Sequence, residues 1–153
     1  MNRPSWWQLW NNVAWEISTR SPDPRRKVGC IIVTSDNTKI LSLGFNGDYK
    51  GGNNKPASSE PGCSKFIHAE ENALLKCDYH YPLKKIMYVT TQPCENCAYR
   101  IINSNIHAVI YDENYRNNDG IDLLKKVGMK VFNVHDDADL IKEMYDEFKR
   151  SDV

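Results

Sequence analysis

Short apolar segments rich in branched residues alternate with helical segments along most of the 153-residue sequence. This alternation constrains the fold most strongly, because strands that alternate with helices predict one sheet covered by helices. The strands are predicted at 28–33, 39–45, 86–91, 107–112 and 130–134. The helices are predicted at 5–19, 66–77, 94–104, 121–128 and 136–150.

The order of these segments predicts how the strands pair. The first two strands are separated only by the polar segment 34–38, which indicates an antiparallel hairpin. The later strands alternate with helices, so we expect them to be mostly parallel. We therefore predict a three-layer α/β/α fold, with a five-stranded mixed sheet and helices on both faces, in a single domain over residues 1–153. Residues 46–62 form a long loop, and such loops are usually functional or mobile.

The charge balance excludes some classes of function. Twenty Lys and Arg residues balance twenty Asp and Glu residues, whereas a protein that binds long nucleic acids is expected to be basic. A ligand with one phosphate remains compatible, because two or three local cations suffice. The apolar runs are too short to cross a membrane, and the N-terminal segment lacks the pattern of a signal peptide. We therefore expect a cytoplasmic protein, in which the five cysteines do not form a disulfide framework.

Cys94 and Cys97 lie three residues apart behind Pro93, at the start of a predicted helix. Such a pair is compatible with a redox couple, a closed structural zinc site or a catalytic metal site. The flanking residues differ from those of a thioredoxin-like couple. A closed zinc site needs four protein ligands, and this sequence has no second pair to supply them. The catalytic metal site is favoured, although the pair alone leaves all three alternatives open.

The segment His68-Ala69-Glu70 supplies what a catalytic metal site needs. With Cys94 and Cys97, His68 would leave the fourth tetrahedral position of a zinc ion to water. Zinc lowers the pKa of bound water to about 7, and Glu70 offers a carboxylate that can move protons. His68 and Cys94 both fall near predicted helix N-termini, where the helix dipole favours a thiolate.

The pattern His-x-Glu followed by Pro-Cys-x-x-Cys resembles the zinc-dependent nucleobase deaminases. Within that superfamily, several segments are similar to the deoxycytidylate (dCMP) deaminases: 25–33, 44–47, 68–74 and 111–131. The resemblance covers roughly residues 5–135 and implies the cytidine deaminase fold. It implies hydrolysis of dCMP to dUMP and ammonia for the synthesis of pyrimidine deoxynucleotides. A water activated by Zn²⁺ would attack C4 of the base, and Glu70 would carry the protons.

The same resemblance implies roles for residues around the metal. The backbone N–H of Ala69 would bind O2 of the base, and Asn46 would bind the deoxyribose. The candidates for contacts with the phosphate or the base are Arg26, Tyr115 and Arg116, with Arg25 and Lys27 behind them. Arginine binds phosphate through two parallel hydrogen bonds, although each basic residue is also compatible with a solvated surface charge.

Regulation and assembly are further implications of the resemblance. These enzymes are commonly homo-oligomeric hexamers, activated by dCTP and inhibited by dTTP, and a bound triphosphate would bring Mg²⁺. The segment Gly44-Phe45-Asn46-Gly47 resembles a motif of the effector site, but a tight turn with glycines at special backbone angles also explains it.

Some members bind a second, structural zinc through a cysteine at the position of Asp23. Cys63 is either a replacement ligand or a plain thiol. The aromatic N-terminal helix is a candidate subunit contact.

Other functions remain compatible with the motifs. A related zinc deaminase could act on free cytidine or deoxycytidine, or on adenosine in transfer RNA. The balanced charge argues against RNA, and the basic segment 25–27 argues against a nucleoside that has no phosphate. A nucleotide-binding sensor on a deaminase scaffold belongs to a different class. Such a sensor would not need Glu70 beside the metal.

Overall fold

The computed structural model describes residues 2–151 and contains every predicted helix and strand in the predicted order. The helices are α1 (Trp6–Ser18), α2 (Ala69–Leu75), α3 (Glu95–Ile102), α4 (Asp119–Lys126) and α5 (Ala138–Ser151). The strands are β1 (Gly29–Thr34), β2 (Ile40–Phe45), β3 (Lys85–Thr91), β4 (Ala108–Glu113) and β5 (Lys130–Asn133). No helix within the described range is long and apolar enough to cross a membrane.

The five strands form one sheet in the order β2-β1-β3-β4-β5. Strand β1 is antiparallel to both β2 and β3, whereas β3, β4 and β5 are parallel to one another. The predicted hairpin and mixed sheet are therefore confirmed. Because the carboxyl ends of parallel strands meet at one edge of the sheet, this edge is where α/β proteins usually bind ligands.

Alternate residues of the central strands enter two separate cores. Ile31 lies in the core that α1 and α5 cover, with Trp10 and Ile141 packed around it. Its neighbour Ile32 lies in the core on the opposite face, which α2, α3 and α4 cover and which includes Leu124. Successive side chains of a strand point to opposite faces, so this pattern confirms the predicted three-layer α/β/α fold.

Helix α2 is shorter than the predicted segment 66–77 and begins at Ala69. Ile67 is extended and pairs with Gly47 in an isolated bridge. His68 is the N-cap, with φ of −71° and ψ of 156°, and its N–H donates to Oε1 of Glu71 at 3.3 Å. An N-cap residue has extended rather than helical backbone angles. His68 therefore stands at the helix N-terminus, and Glu70 follows in the first turn.

Gly44 allows β2 to pack closely on α2. A Cβ atom at this position would lie 2.4 Å from the Ala69 carbonyl oxygen and 2.6 Å from the Ala73 nitrogen. Neither Gly44 nor Gly47 has a φ in the left-handed region, so a left-handed glycine turn does not explain the segment 44–47. Gly44 is needed because the backbone of α2 lies directly against the strand.

The predicted loop 46–62 extends to residue 66, and residues 48–66 contain neither helix nor strand. Gly62 has a φ of 77°, in the left-handed region that favours glycine. A Cβ atom at Gly62 would lie 2.9 Å from Nη1 of Arg116. The loop therefore comes close to the segment that follows β4 at this point.

Candidate active site

The N-termini of α2 and α3 meet near the carboxyl end of β3. His68 is the N-cap of α2, Cys94 is the N-cap of α3, and Cys97 lies in the first turn of α3. The Nδ1 atom of His68 lies 3.3 Å from Sγ of Cys97 and 3.5 Å from Sγ of Cys94. The three ligand atoms all lie within 4.8 Å of one another, so one ion can contact all of them.

Cys94 precedes the helix, whereas the sequence predicted that both cysteines belong to it. Both sulfurs still lie near one point, because the Sγ atoms of Cys94 and Cys97 are within 4.8 Å of each other. The Cys97 backbone nitrogen lies 3.5 Å from Sγ of Cys94 and donates to it. An N-cap side chain accepts hydrogen bonds from the first turn, and a thiolate at a helix N-terminus is stabilised by the helix dipole.

These three side chains fit a tetrahedral zinc ion. Zinc–nitrogen and zinc–sulfur bond lengths in tetrahedral sites require nitrogen–sulfur separations of roughly 3.6 Å, close to the separations observed here. Two thiolates balance the charge of Zn²⁺. Three protein ligands leave the fourth position open, as in catalytic zinc sites.

The protonation of the two cysteines differs when no cation is bound. A hydrogen bond with the Cys97 thiol is the main reason that the pKa of Cys94 falls to about 4, and contacts with His68 act in the same direction. The Cys94 thiolate in turn raises the pKa of Cys97 above its usual range. The pKa of His68 rises to about 9, mainly through its hydrogen bond with Cys94. A bound divalent cation would displace the remaining thiol proton, because metal ligands are deprotonated.

Glu70 is buried beside these ligands, with 4% of its surface exposed. Burial raises the pKa of Glu70 to about 7, although the neighbouring His68 acts in the opposite direction. A carboxyl group with a pKa near 7 can both accept and release a proton near neutral pH. The structure thus brings together the four residues for which the sequence predicted metal binding and proton transfer.

A cleft connects the candidate metal-binding residues with a basic rim, which consists of Arg25, Arg26 and Arg116. Its lining includes the predicted substrate residues Asn46, Ala69, Arg26, Tyr115 and Arg116, together with Arg25. Lys27 does not line the cleft, and its Nζ atom donates to the Ser21 carbonyl oxygen. The structure therefore places all the predicted substrate residues except Lys27 around one cleft.

Three guanidinium groups surround the ring of Tyr115 at the basic rim. Their Cζ atoms lie 4.3 Å (Arg26), 5.1 Å (Arg116) and 5.5 Å (Arg25) from the ring centroid. Nη2 of Arg26 pairs with Oε2 of Glu113 at 2.9 Å, and its Nε donates to Oγ1 of Thr91 at 3.2 Å. Within residues 2–150, Arg25 and Arg116 form no ion pair with a carboxylate. Positive charge at the rim is therefore left for a ligand.

Asn46 fixes the loop that carries Arg25 and Arg26. Its Oδ1 accepts from the Val28 N–H at 2.8 Å, and its Nδ2 donates to the Arg26 carbonyl oxygen at 2.9 Å and to Oδ2 of Asp23 at 3.1 Å. Both amide hydrogens are therefore already used. The predicted contact of Asn46 with a deoxyribose stays a prediction, and only Oδ1 has capacity for it.

Among the other residues that line the cleft, Asp23 and Gln92 hold neighbouring loops through hydrogen bonds, and the sequence had assigned neither of them to substrate binding. Asp23 accepts from the backbone N–H groups of Arg25 and Arg26 at 2.8 and 3.2 Å. An aspartate between two prolines is a typical signal for such a turn, so Asp23 could have been found. Gln92 carries no such signal, because its partners follow β4, more than twenty residues away.

Comparison with known proteins identifies the family. The sequence model for the cytidine and deoxycytidylate deaminase zinc-binding region matches residues 4–113. The deoxycytidylate deaminase of Mycobacterium phage D29 is 31% identical over 126 residues, which cover 72% of this chain and 97% of the phage protein. The deoxycytidylate deaminase of Saccharomyces cerevisiae is 30% identical over 141 residues. That match covers 84% of this chain but only 45% of the yeast protein.

A solved structure agrees with the sequence comparisons. The crystal structure of dCMP deaminase from the cyanophage S-TIM5, in complex with dCMP and dUMP, is similar with a TM-score of 0.74 and 30% identity. The match covers 87% of this chain and 99% of the cyanophage chain. The chain described here belongs to the cytidine and deoxycytidylate deaminase family, and the match to the family's zinc-binding region includes His68, Cys94 and Cys97.

Proposed function

We propose that this protein is a hydrolase that converts dCMP to dUMP and ammonia with one bound Zn²⁺. One observation carries the proposal: a single cleft joins the His68, Cys94 and Cys97 cluster and the buried Glu70 to a basic rim. At this rim, Arg25 and Arg116 form no ion pair with a carboxylate of the described residues. The cyanophage relative, whose structure contains dCMP and dUMP, supports this choice of substrate. We also propose that residues 1–153 form one domain, because one sheet organises both cores.

The chemistry divides between the metal and the side chains around it. His68, Cys94 and Cys97 would hold Zn²⁺, which lowers the pKa of water enough for it to attack a carbon near neutral pH. Glu70 would accept the proton that the water loses and deliver it to N3 of the base. It would then take the proton of the new hydroxyl group on C4 and pass it to the amine, which leaves as ammonia while the carbonyl group of uracil forms. Burial suits Glu70 to this task, because it raises the pKa of the carboxyl group above its usual range and so favours holding a proton between transfers.

The base would be held by groups of the chain itself. The Ala69 N–H lies in the first turn of α2, where N–H groups have no partner within the helix. It can therefore donate to O2 of the cytosine while C4 faces the metal. Asn46 would contact the deoxyribose through Oδ1.

The basic rim would bind the phosphate. Arg25 and Arg116 are better candidates than Arg26, because Glu113 and Thr91 already bind the Arg26 guanidinium group. Tyr115 lies among all three guanidinium groups and keeps them together. A phosphate monoester carries roughly −1.5 to −2 charges at neutral pH, so it would compensate the positive charge at the rim.

Ammonia release from four substrates tests the proposed function and the role of the rim. We expect the highest kcat/KM for dCMP, compared with CMP, deoxycytidine and an RNA stem-loop. Replacing Arg25 or Arg116 by Gln should lower kcat/KM for dCMP by about 10- to 100-fold, mainly through KM, because each change removes charge-assisted hydrogen bonds. The value for deoxycytidine should change less than about twofold, since it has no phosphate.

Arg20→Gln is the matched control, because Arg20 is exposed and lies outside the cleft. A wild-type preference for deoxycytidine over dCMP would contradict the phosphate-binding role of the rim. Absence of ammonia release from all four substrates would favour a sensor on a deaminase scaffold. Preference for the stem-loop would favour the transfer RNA alternative.

We further propose that dCTP, bound with Mg²⁺, activates a homo-oligomeric enzyme, a hexamer by resemblance to the family, and that dTTP inhibits it. The segment 44–47 is the candidate effector motif. Its Asn46 bonds directly to Asp23 and to the Arg26 carbonyl oxygen, so a shift at the motif can move the loop that carries Arg25. We expect sigmoidal dCMP kinetics that become hyperbolic with dCTP. Hyperbolic kinetics that neither triphosphate changes would reject this regulation.

A further inference from the structure

Gln92 connects the metal-binding turn with the loop that follows β4. It directly precedes the turn of Pro93 and Cys94, and only 5% of its surface is exposed. Its backbone N–H donates to the carbonyl oxygen of Glu113, the last residue of β4, at 2.8 Å. In the loop that follows, its Nε2 donates to the carbonyl oxygens of Tyr115 (3.0 Å) and Asn117 and to Oδ1 of Asn118 at 3.3 Å. One amide group thus holds several positions of a loop that contains two cleft residues.

The orientation of this amide group is determined by its N–H donors. Nε2 faces three oxygen atoms, so the reversed orientation would bring Oε1 against the same oxygens. Oε1 itself is buried and has no hydrogen-bond donor among the residues that the structure describes. A buried acceptor without a partner costs free energy. The side chain therefore acts through its two N–H donors, and its oxygen is not part of the contact.

The backbone that Gln92 holds is strained at Arg116. This residue has a φ of 21°, a value rare for residues other than glycine. Nε2 of Gln92 binds the carbonyl oxygens of the residues on either side, Tyr115 and Asn117. Strained backbone conformations persist only where surrounding contacts fix them. Gln92 supplies such contacts on both sides of Arg116.

We propose that Gln92 is a positioning residue for nucleotide recognition. By bridging the two carbonyl groups that flank Arg116, it keeps Arg116 and Tyr115 at the basic rim, and it thereby sets the affinity for the phosphate group of the substrate. The identity of the substrate rests on the proposed function, whereas the anchoring of the loop does not.

Gln92→Met tests this role. Methionine has similar length but no donors, and it also removes the unpaired Oε1, so the fold should tolerate the change. We expect KM for dCMP to rise about 10- to 100-fold, because the anchoring hydrogen bonds are lost, with kcat changed less than about twofold and zinc content unchanged. Amide hydrogen exchange in residues 114–118 should accelerate at least about tenfold. Gln8→Met, in α1 and outside the cleft, should change none of these values.

Each of the following results would overturn the proposal. Unchanged exchange in residues 114–118 would show that Gln92 does not hold the loop. A loss confined to kcat, or accompanied by loss of zinc, would assign Gln92 to the metal-binding turn instead. Unchanged KM would remove it from phosphate recognition.

If the wild-type protein does not deaminate dCMP, the proposed function fails. The affinity for inorganic phosphate then tests whether Gln92 positions the basic rim. This affinity should then fall about tenfold in Gln92→Met, and absence of phosphate binding by the wild type would also overturn the proposal.

Discussion

Replacing Glu70 by Gln is expected to abolish turnover of dCMP while one Zn²⁺ per chain stays bound. Glutamine keeps the size and polarity of the side chain but cannot accept and return a proton. A positioned general acid or base contributes roughly 10²- to 10⁴-fold to a rate, and Glu70 is proposed to serve several proton transfers in one turnover. We therefore expect kcat to fall by at least about 10³-fold.

Metal analysis and a neighbouring glutamate separate this role from damage to the site. Zinc content should remain unchanged, because His68, Cys94 and Cys97 supply the ligand atoms without Glu70. Glu71→Gln is the matched control in the same helical turn, where a Gln oxygen can still accept from the His68 N–H. It should lower kcat by less than about tenfold. Turnover that survives in Glu70→Gln would remove Glu70 from proton transfer, and loss of zinc would make it a structural support.

The fold could be predicted from the sequence because burial follows local periodicity. Ile31 and Ile32 are adjacent branched residues that enter opposite cores, and this requires helices on both faces of the sheet. The beginning of α2 could not be predicted to the residue. The bridge between Gly47 and Ile67 keeps the preceding residues extended, and such a contact leaves no trace in helix propensity.

Some residues of the candidate site could be predicted from the sequence, and others could not. The metal cluster needs particular residue types at characteristic spacing, so His68, Cys94 and Cys97 could be identified from the sequence. The sequence could not show which arginines are the better candidates for binding phosphate. The carboxylate that pairs with Arg26 belongs to Glu113, which lies 87 positions away. For the same reason nothing in the sequence distinguished Gln92, whose importance depends on which loop folds against it.

Replacing Cys97 by Ser is expected to remove both the metal and the activity. Serine keeps nearly the same volume at this fully buried position, but it replaces a soft thiolate, which zinc binds well, with a hydroxyl group. Zinc should fall from one ion to less than about one tenth per chain. Turnover should fall by more than about 10³-fold, because water then keeps a pKa far above neutral.

Cys63→Ser is the matched control, since Cys63 is exposed and lies outside the cluster. It should keep one zinc ion per chain and wild-type turnover, because the three ligands that the structure assembles are intact. A wild-type content of two ions that falls to one in Cys63→Ser would instead make Cys63 a ligand of a second, structural zinc. Full zinc content and turnover in Cys97→Ser would contradict the metal site itself, because two remaining ligands cannot hold the ion in the geometry that leaves one position for water.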